Sequence, residues 1–298
     1  MYFYKFGVSK IKIPAVSVII PSFNRAHLLP RVIPSYVQEN VFEIIIVDDK
    51  STDNTKEVVL ELKKQFPIIR YFRSDQKIRQ TGAKNIGITM AKGDYCYFGD
   101  DDSILKGGSI KSLIDNASLY PDSIIAARHI YMKDNQDISE LLLDTDVTVY
   151  NNLDQIYDGA VLNVDLSTRY DTVVEIPFCT YCFLLPTTIA RANSFNEGFV
   201  KTCFREETDY VMQLCQKGVK VYLDCNALSI DLPRNISKGG IYSVNLISRH
   251  LGEVYNEFIF YKRNKSYLGS ISPLSPNPFV RAFVHLIRKI FGALNLKA

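Results

Sequence analysis

The chain has 298 residues, 47% of them apolar, and a formal net charge of +3. That length supports one large α/β domain with or without a smaller appendage. The charge is too slight to indicate a nucleic-acid partner, so any basic signal must be local.

Val16 to Ile20 is a β-branched run cut off by Pro21-Ser22-Phe23-Asn24-Arg25, which predicts a buried first strand and a loop at its carboxyl end. Ala26 to Gln38 has helical spacing, with Pro30 in the first turn and a kink expected at Pro34. Glu43 to Val47 predicts a second strand ending in Asp48 and Asp49, then an amphipathic helix over Thr55 to Phe66 and a third strand over Ile68 to Phe72. A helix over Thr81 to Ala91 leads to the apolar run Cys96-Tyr97-Phe98, which stops at Gly99 and three successive carboxylates, Asp100, Asp101 and Asp102. Four alternations of strand and helix predict a parallel sheet wound by right-handed crossovers.

Further on, a helix is expected over Gly107 to Tyr120 and strands over Ser123 to Ala127, Tyr181 to Leu185 and Val219 to Leu223, with a helix over Glu206 to Lys217. The stretch from His129 to Ile176 has no clear period. Ser272 to Pro278 reads as a stiff linker. Phe279 to Leu294 then places Phe283, Leu286, Ile287, Ile290 and Phe291 on one helical side and Arg281, His285, Arg288 and Lys289 largely on the other. Such a helix suits either an anionic membrane surface or docking on its own domain or on a second subunit as a homo-oligomer.

The six cysteines follow no regular spacing and several lie in strand-like text, which suits reduced, buried thiols. Cys179 and Cys182 lack a second pair, so zinc is not indicated. The opening Met1-Tyr2-Phe3-Tyr4-Lys5 has no signal-peptide core, and no window reaches the roughly 18 apolar residues of a membrane span. The expected location is cytoplasmic, with peripheral attachment at the inner face of the cell membrane if the tail binds lipid.

In a parallel sheet the carboxyl ends of the strands share one edge, where open α/β sheets bind ligands. Asp48 and Asp49 therefore face the same edge as Asp100 to Asp102 and the Pro21-Ser22-Phe23-Asn24 loop. Three adjacent carboxylates repel, and a hard divalent cation would turn that repulsion into coordination. An acid after an early strand can accept from a base or ribose, so a nucleotide diphosphate with a metal is the economical ligand. Neither a Gly-x-Gly-x-x-Gly nor a Gly-Lys-Ser/Thr phosphate loop follows the first strand.

Val18 to Arg25, Val47 to Thr55, Gly82 to Ile88 and Phe98 to Asp102 resemble, in order and spacing, the successive signatures of the family 2 inverting glycosyltransferases of GT-A fold. Ser194 to Phe199 with Arg205 to Tyr210 is similar to a later segment of that family. The resemblance implies an α/β GT-A (nucleotide-diphospho-sugar transferase) fold, a mostly parallel central sheet flanked by helices, with a C-terminal helical extension. Residues 1–240 would form the transferase domain, nucleotide-binding over about 14–127 and acceptor-side over about 128–240, and residues 241–298 the extension.

Position by position, the resemblance implies that Pro21, Phe23, Arg25 and Asp49 surround the base and ribose, with Asp49 accepting from the base. Lys84 stands where the family often has Arg, as a phosphate-side or sheet-facing cation. Asp101 matches a sugar or ribose contact, and Asp100 and Asp102 match the ends of the metal-binding D-x-D that takes Mn²⁺ or Mg²⁺. Glu207 falls where the family places its catalytic base, usually Asp, and Glu206 or Asp209 could substitute. Arg234 and Lys238, in a loop ending in Gly239-Gly240, are expected to help close over the diphosphate.

The expected reaction is metal-dependent inverting transfer of a sugar from a nucleotide-diphosphate donor, UDP-linked, to a hydroxyl of a surface glycan (capsule, O-antigen or lipo-oligosaccharide type), free or lipid-linked. Two rivals are a sugar nucleotidyltransferase, disfavoured by the lack of glycine in Pro21-Ser22-Phe23-Asn24, and an inactive sugar-nucleotide or glycan-binding module.

Overall fold

The computed structural model describes residues 13–159, 162–238 and 246–293; the side chains of 246 and 288–293 are outside the description. Expectations on Met1 to Lys5, on Gly239 and Gly240, on Leu294, and on the side chains of Arg288, Lys289, Ile290 and Phe291 therefore lie outside the described residues.

The chain begins β1 (Val16–Ser22), α1 (Leu29–Val32), β2 (Val41–Asp48), α2 (Thr55–Gln65), β3 (Ile69–Arg73), α3 (Arg79–Met90) and β4 (Tyr95–Phe98). All pairings among these four strands are parallel, with Ser22 opposite Asp48 and Ile19 opposite Phe98. The helix expected over Ala26 to Gln38 shrinks to α1 and a 3-10 turn, Ile33–Tyr36. Pro30 and Pro34 explain this, because each lacks the amide that a continuous helix needs.

Next come β5 (Ser103–Leu105), α4 (Ser109–Leu119), β6 (Ile124–Tyr131), α5 (Ile138–Leu143), β7 (Tyr157–Asp158), β8 (Asn163–Val164), β9 (Val174–Ile176), β10 (Phe183–Pro186) and α6 (Thr187–Arg191). The chain closes with α7 (Glu206–Cys215), β11 (Val221–Asp231), α8 (Leu246–Ile271) and α9 (Pro278–Ala293). The main sheet has the order β3-β2-β1-β4-β10-β6-β11-β5, with β9 added on β11. β10 runs antiparallel to both neighbours, while β6 and β11 are parallel.

Two expected strands prove longer: β6 continues past Ala127 to Tyr131, and β11 continues past Leu223 to Asp231 across a bulge between Asp224 and Leu228. The bulge breaks the period of two that the eye follows in a sequence. Its effect is to carry Asp231 to the sheet edge beside Ser103.

Apolar side chains alternate along β1 as a strand's geometry requires. Val16, Val18 and Ile20 enter the core on one face and Ile19 the core on the other. Each such side chain stabilises the fold by about 1.5–3 kcal/mol. α3 lies very close to β1, because a Cβ on Gly87 would fall 2.3 Å from Cγ2 of Ile19.

α8 packs on α7, and α9 packs on α8. No described helix is long and apolar enough to cross a membrane.

Candidate active site

At the carboxyl edge of β1, β2 and β4 the sheet opens into a cavity of about 420 Å³. Its walls hold Pro21, Phe23, Arg25 and Asp49 on the β1–β2 side, Asp100 to Asp102 in the middle, and Lys201 to Thr208 opposite. The position of this cavity follows from topology: parallel strands deliver their last residues, and the acids that follow them, to one edge. A second hollow of about 480 Å³, lined by Asn85, Arg191 and Arg263, holds none of these aspartates.

Asp49 is buried and accepts from the Ile78 amide at 2.6 Å, with Lys77 Nζ at 3.1 Å. Lys77 also sits over the Phe23 ring. Asp48, fully buried, is satisfied by the Ser51 amide and the Tyr71 hydroxyl and has no place in the cavity lining.

The aspartate triplet is fixed from both ends. Tyr36 donates its hydroxyl to the Asp100 carbonyl at 3.1 Å and lies under Gly99, where a Cβ would meet its ring at 3.0 Å. The Leu232 amide donates to the Asp102 carbonyl at 2.9 Å. Arg25 answers part of the negative charge: Nη1 lies 3.1 Å from Asp102 Oδ2 and Nε 3.8 Å from Asp101 Oδ1. The Phe23 amide donates to Asp101 at 3.4 Å.

One arginine does not balance this set. Burial pushes Asp100 up to about 8, Asp101 to about 6 and Asp102 to about 7, and neighbouring acids add to each. Among those neighbours is Asp231, whose carboxylate accepts from Ser103 at 2.6 Å and lies 3.2 Å from His129 Nε2. Burial opposes a charge on His129, but Asp231, Asp100 and Glu207 together outweigh it and raise the imidazole's affinity for a proton. Tyr181 stacks on His129 and Tyr131 meets it edge-on, so an aromatic cluster adjoins the acids.

Across the cavity, Glu206 and Glu207 open α7, where the helix dipole favours negative charge. Lys84 on α3 is wholly buried, and its ammonium donates to Glu206 at 2.8 Å and to Glu207 at 2.5 Å. Burial raises the Glu207 carboxyl to about 7, with Lys84 pulling it down and Glu206 pushing it up. The segment leading to α7 is strongly bent, with Lys201, Cys203 and Arg205 in the left-handed region. Such backbone is often stored at functional sites.

The structure brings together Pro21, Phe23, Arg25, Asp49, Asp100, Asp101, Asp102, Glu206 and Glu207, as the sequence led us to expect. Four expected residues do not join them. Of the two alternatives for Lys84 the structure favours the sheet-facing one: it is a buried cation under the two glutamates, not a phosphate-side group, because α3 packs its mid-section against the sheet. Asp209 points away to α8, where Arg263 at 3.1 Å and Asn264 at 2.7 Å hold it. Arg234 and Lys238 are exposed and do not line the cavity.

Sequence reasoning missed Asp231, His129, Tyr131, Tyr181, Lys77 and Lys201. Asp231 carried a usable signal, an acid ending an apolar run. The aromatic cluster carried none, because the irregular stretch between β6 and β10 separates His129 and Tyr131 from Tyr181.

The sequence profile described as Glycosyl transferase family 2 matches residues 17–169, half of the chain. This chain belongs to glycosyl transferase family 2. A family 2 relative, the GalNAc(5)-diNAcBac-PP-undecaprenol beta-1,3-glucosyltransferase of Campylobacter jejuni, is 40% identical over 108 residues, a match spanning 35% of each chain. Family 2 chains of this kind have the GT-A fold, and two solved structures agree. GalNAc-T7 with UDP, GalNAc and Mn²⁺ superposes with a TM-score of 0.62 at 15% identity, covering 85% of this chain and 52% of that one. The mannosyltransferase PcManGT from Pyrobaculum calidifontis, with GDP-Man and Mn²⁺, gives 0.54 at 13% identity, covering 96% and 76%. At such identities the likeness speaks for the fold alone.

Proposed function

We propose that this chain is a metal-dependent inverting glycosyltransferase, moving a sugar from a UDP-sugar to a hydroxyl of a bacterial surface glycan. One observation carries the reading: a single cavity of about 420 Å³ brings Phe23 and Asp49, an under-neutralised acid cluster, and a raised carboxyl on the opposite wall to one place. The glycan acceptor is inferred from the Campylobacter relative, whose name places its acceptor on undecaprenol diphosphate.

The residues present fit a divalent cation. Among the described residues no three His, Cys, Asp or Glu side chains form a ready cage. Mg²⁺ and similar ions bound with phosphates commonly take only one or two carboxylates from the protein. Asp102 and Asp100, with Asp231 beside them, supply hard oxygens whose mutual repulsion a cation would relieve. Mn²⁺ is supported by the two structural neighbours that contain it. When bound, the cation supplies positive charge to the leaving diphosphate.

The chain's own groups perform the remaining work. Phe23 and Asp49 hold the base, Asp101 orients the ribose or sugar, and Lys77, Arg79 and Lys201 on the cavity wall add positive charge for phosphate. Glu207 accepts the acceptor hydroxyl's proton as that oxygen bonds to the anomeric carbon and the carbon–diphosphate bond breaks. A base with a pKa near 7 is matched to that task. Lys84 positions Glu207 from beneath.

A thermal-shift screen of nucleoside diphosphates and their sugars tests the reading, since a ligand that binds only the folded state raises its stability. UDP-sugars should raise the midpoint with Mn²⁺ and far less without it. Indifference to every nucleotide would refute the donor assignment.

A further inference from the structure

We propose that the hairpin of α8 and α9 is a lipid-docking face that seats the protein on an anionic bilayer, with the catalytic cavity beside the contact. An amphipathic helix normally turns its apolar side to the protein. α9 does the reverse. Its His285 lies inward, 3.4 Å from Glu257 of α8 and against the Phe204 ring, and the Arg281 guanidinium covers the Tyr261 ring. The first turns of the apolar side are left outward, with Phe279 72%, Val280 50% and Phe283 62% exposed, while Leu286 and Ile287 are half-buried.

α8 extends the same surface. Ile247, Leu251 and Tyr255 recur every four residues on one side of that helix, and all three are at least half exposed. The two stripes adjoin, since Phe258 on α8 meets the Phe279 ring at 5.0 Å. With His285 opposite Glu253 and Glu257, the helices run antiparallel and the stripes lie side by side. An apolar patch built from two helices is larger than the single exposed side chains found on any protein surface.

Charge selects the occupant. From residue 246 onward the sequence is rich in Lys and Arg, and its two acids are Glu253 and Glu257. Both are buried against Arg205, Arg249 and His285. Lys262 and Lys265 are exposed, and Lys262 continues the side of the helix that carries Tyr255. An apolar stripe bordered by exposed cations suits anionic headgroups over an acyl layer. A second copy of the chain would have to bring these like charges together.

The hairpin also touches the cavity wall. Lys201 packs on α8 at Gly252, and Phe204 packs on His285. If the proposed transfer to a lipid-linked acceptor holds, docking there places the acceptor's anchor next to the cavity.

Vesicle co-sedimentation tests the surface without nucleotide or metal, so its outcome is independent of the transfer chemistry. The whole protein should bind vesicles of phosphatidylglycerol mixed with phosphatidylcholine at least tenfold more tightly than phosphatidylcholine alone. The double variant Phe279→Ser/Phe283→Ser should lose at least tenfold. Leu119→Ser, an equally exposed leucine on α4, should bind as wild type. Thermal midpoints of both variants verify folding. Equal binding by the folded double variant would overturn the proposal. So would a stable dimer in sedimentation velocity that ignores vesicles and dissociates in that variant.

Discussion

Lys84 Nζ and Glu207 Oε1 lie 2.5 Å apart in a fully buried contact that joins α3 to the first turn of α7. The two residues come from opposite halves of the chain. The contact fixes a carboxylate on the cavity wall and, with Glu206 at 2.8 Å, leaves one ammonium between two acids.

Removing that ammonium leaves like charges buried without an answer. Lys84→Met should therefore destabilise the fold by about 3–5 kcal/mol, measured by urea unfolding. Lys84→Arg should retain much more stability, because it keeps the charge. Equal stability of Lys84→Met and wild type would contradict the buried-cation account.

Glu207→Gln should lower kcat by about 10²–10⁴-fold while donor affinity in the thermal-shift assay stays near wild type. Asp209→Asn should do the opposite. Its partners are Arg263 and Asn264, so it should lose about 1–3 kcal/mol of stability and little of kcat. A large kcat loss in Asp209→Asn would reassign the base.

The pH dependence has a definite sign. A base must be deprotonated, and burial with the Glu206 charge puts the Glu207 carboxyl at about 7, with Lys84 and His129 opposing. The rate should rise with pH through about 7. Stability should move the other way. The folded carboxyl binds its proton more tightly than the unfolded one, so the folded state holds more protons between the two pKa values and stability falls as pH rises. Glu207→Gln should flatten this part of the profile, read as thermal midpoint against pH.

Much of this was legible in the sequence. Val16 to Ile20, Glu43 to Val47 and Cys96 to Phe98 are apolar runs that halt at polar residues, and parallel pairing takes all three ends to one edge. The position of Lys84 was not legible, because its partners lie 122 and 123 residues away. Asp231 was legible only as an acid ending an apolar run, because the bulge in β11 moves it beyond the visible strand pattern. The spacing of α9 defined two sides of a helix, but only the contacts of His285 show which side faces the protein.

Gly99 supplies a test of how the triplet is held. A methyl group there would sit 2.9 Å from the Tyr36 hydroxyl, and overpacking of this kind costs about 1–3 kcal/mol. Gly99→Ala should lower the thermal midpoint and shrink the Mn²⁺-dependent part of the UDP shift. Tyr36→Phe in the same background should not restore the UDP shift, because the ring remains.

The most direct measurement is proton NMR of an α-linked UDP-sugar incubated with the protein and Mn²⁺, water serving as the acceptor. Free sugar should appear first as the β anomer, depend on Mn²⁺, and be lost in Glu207→Gln. First appearance of the α anomer, or an undiminished rate in that variant, would contradict inverting transfer with Glu207 as its base.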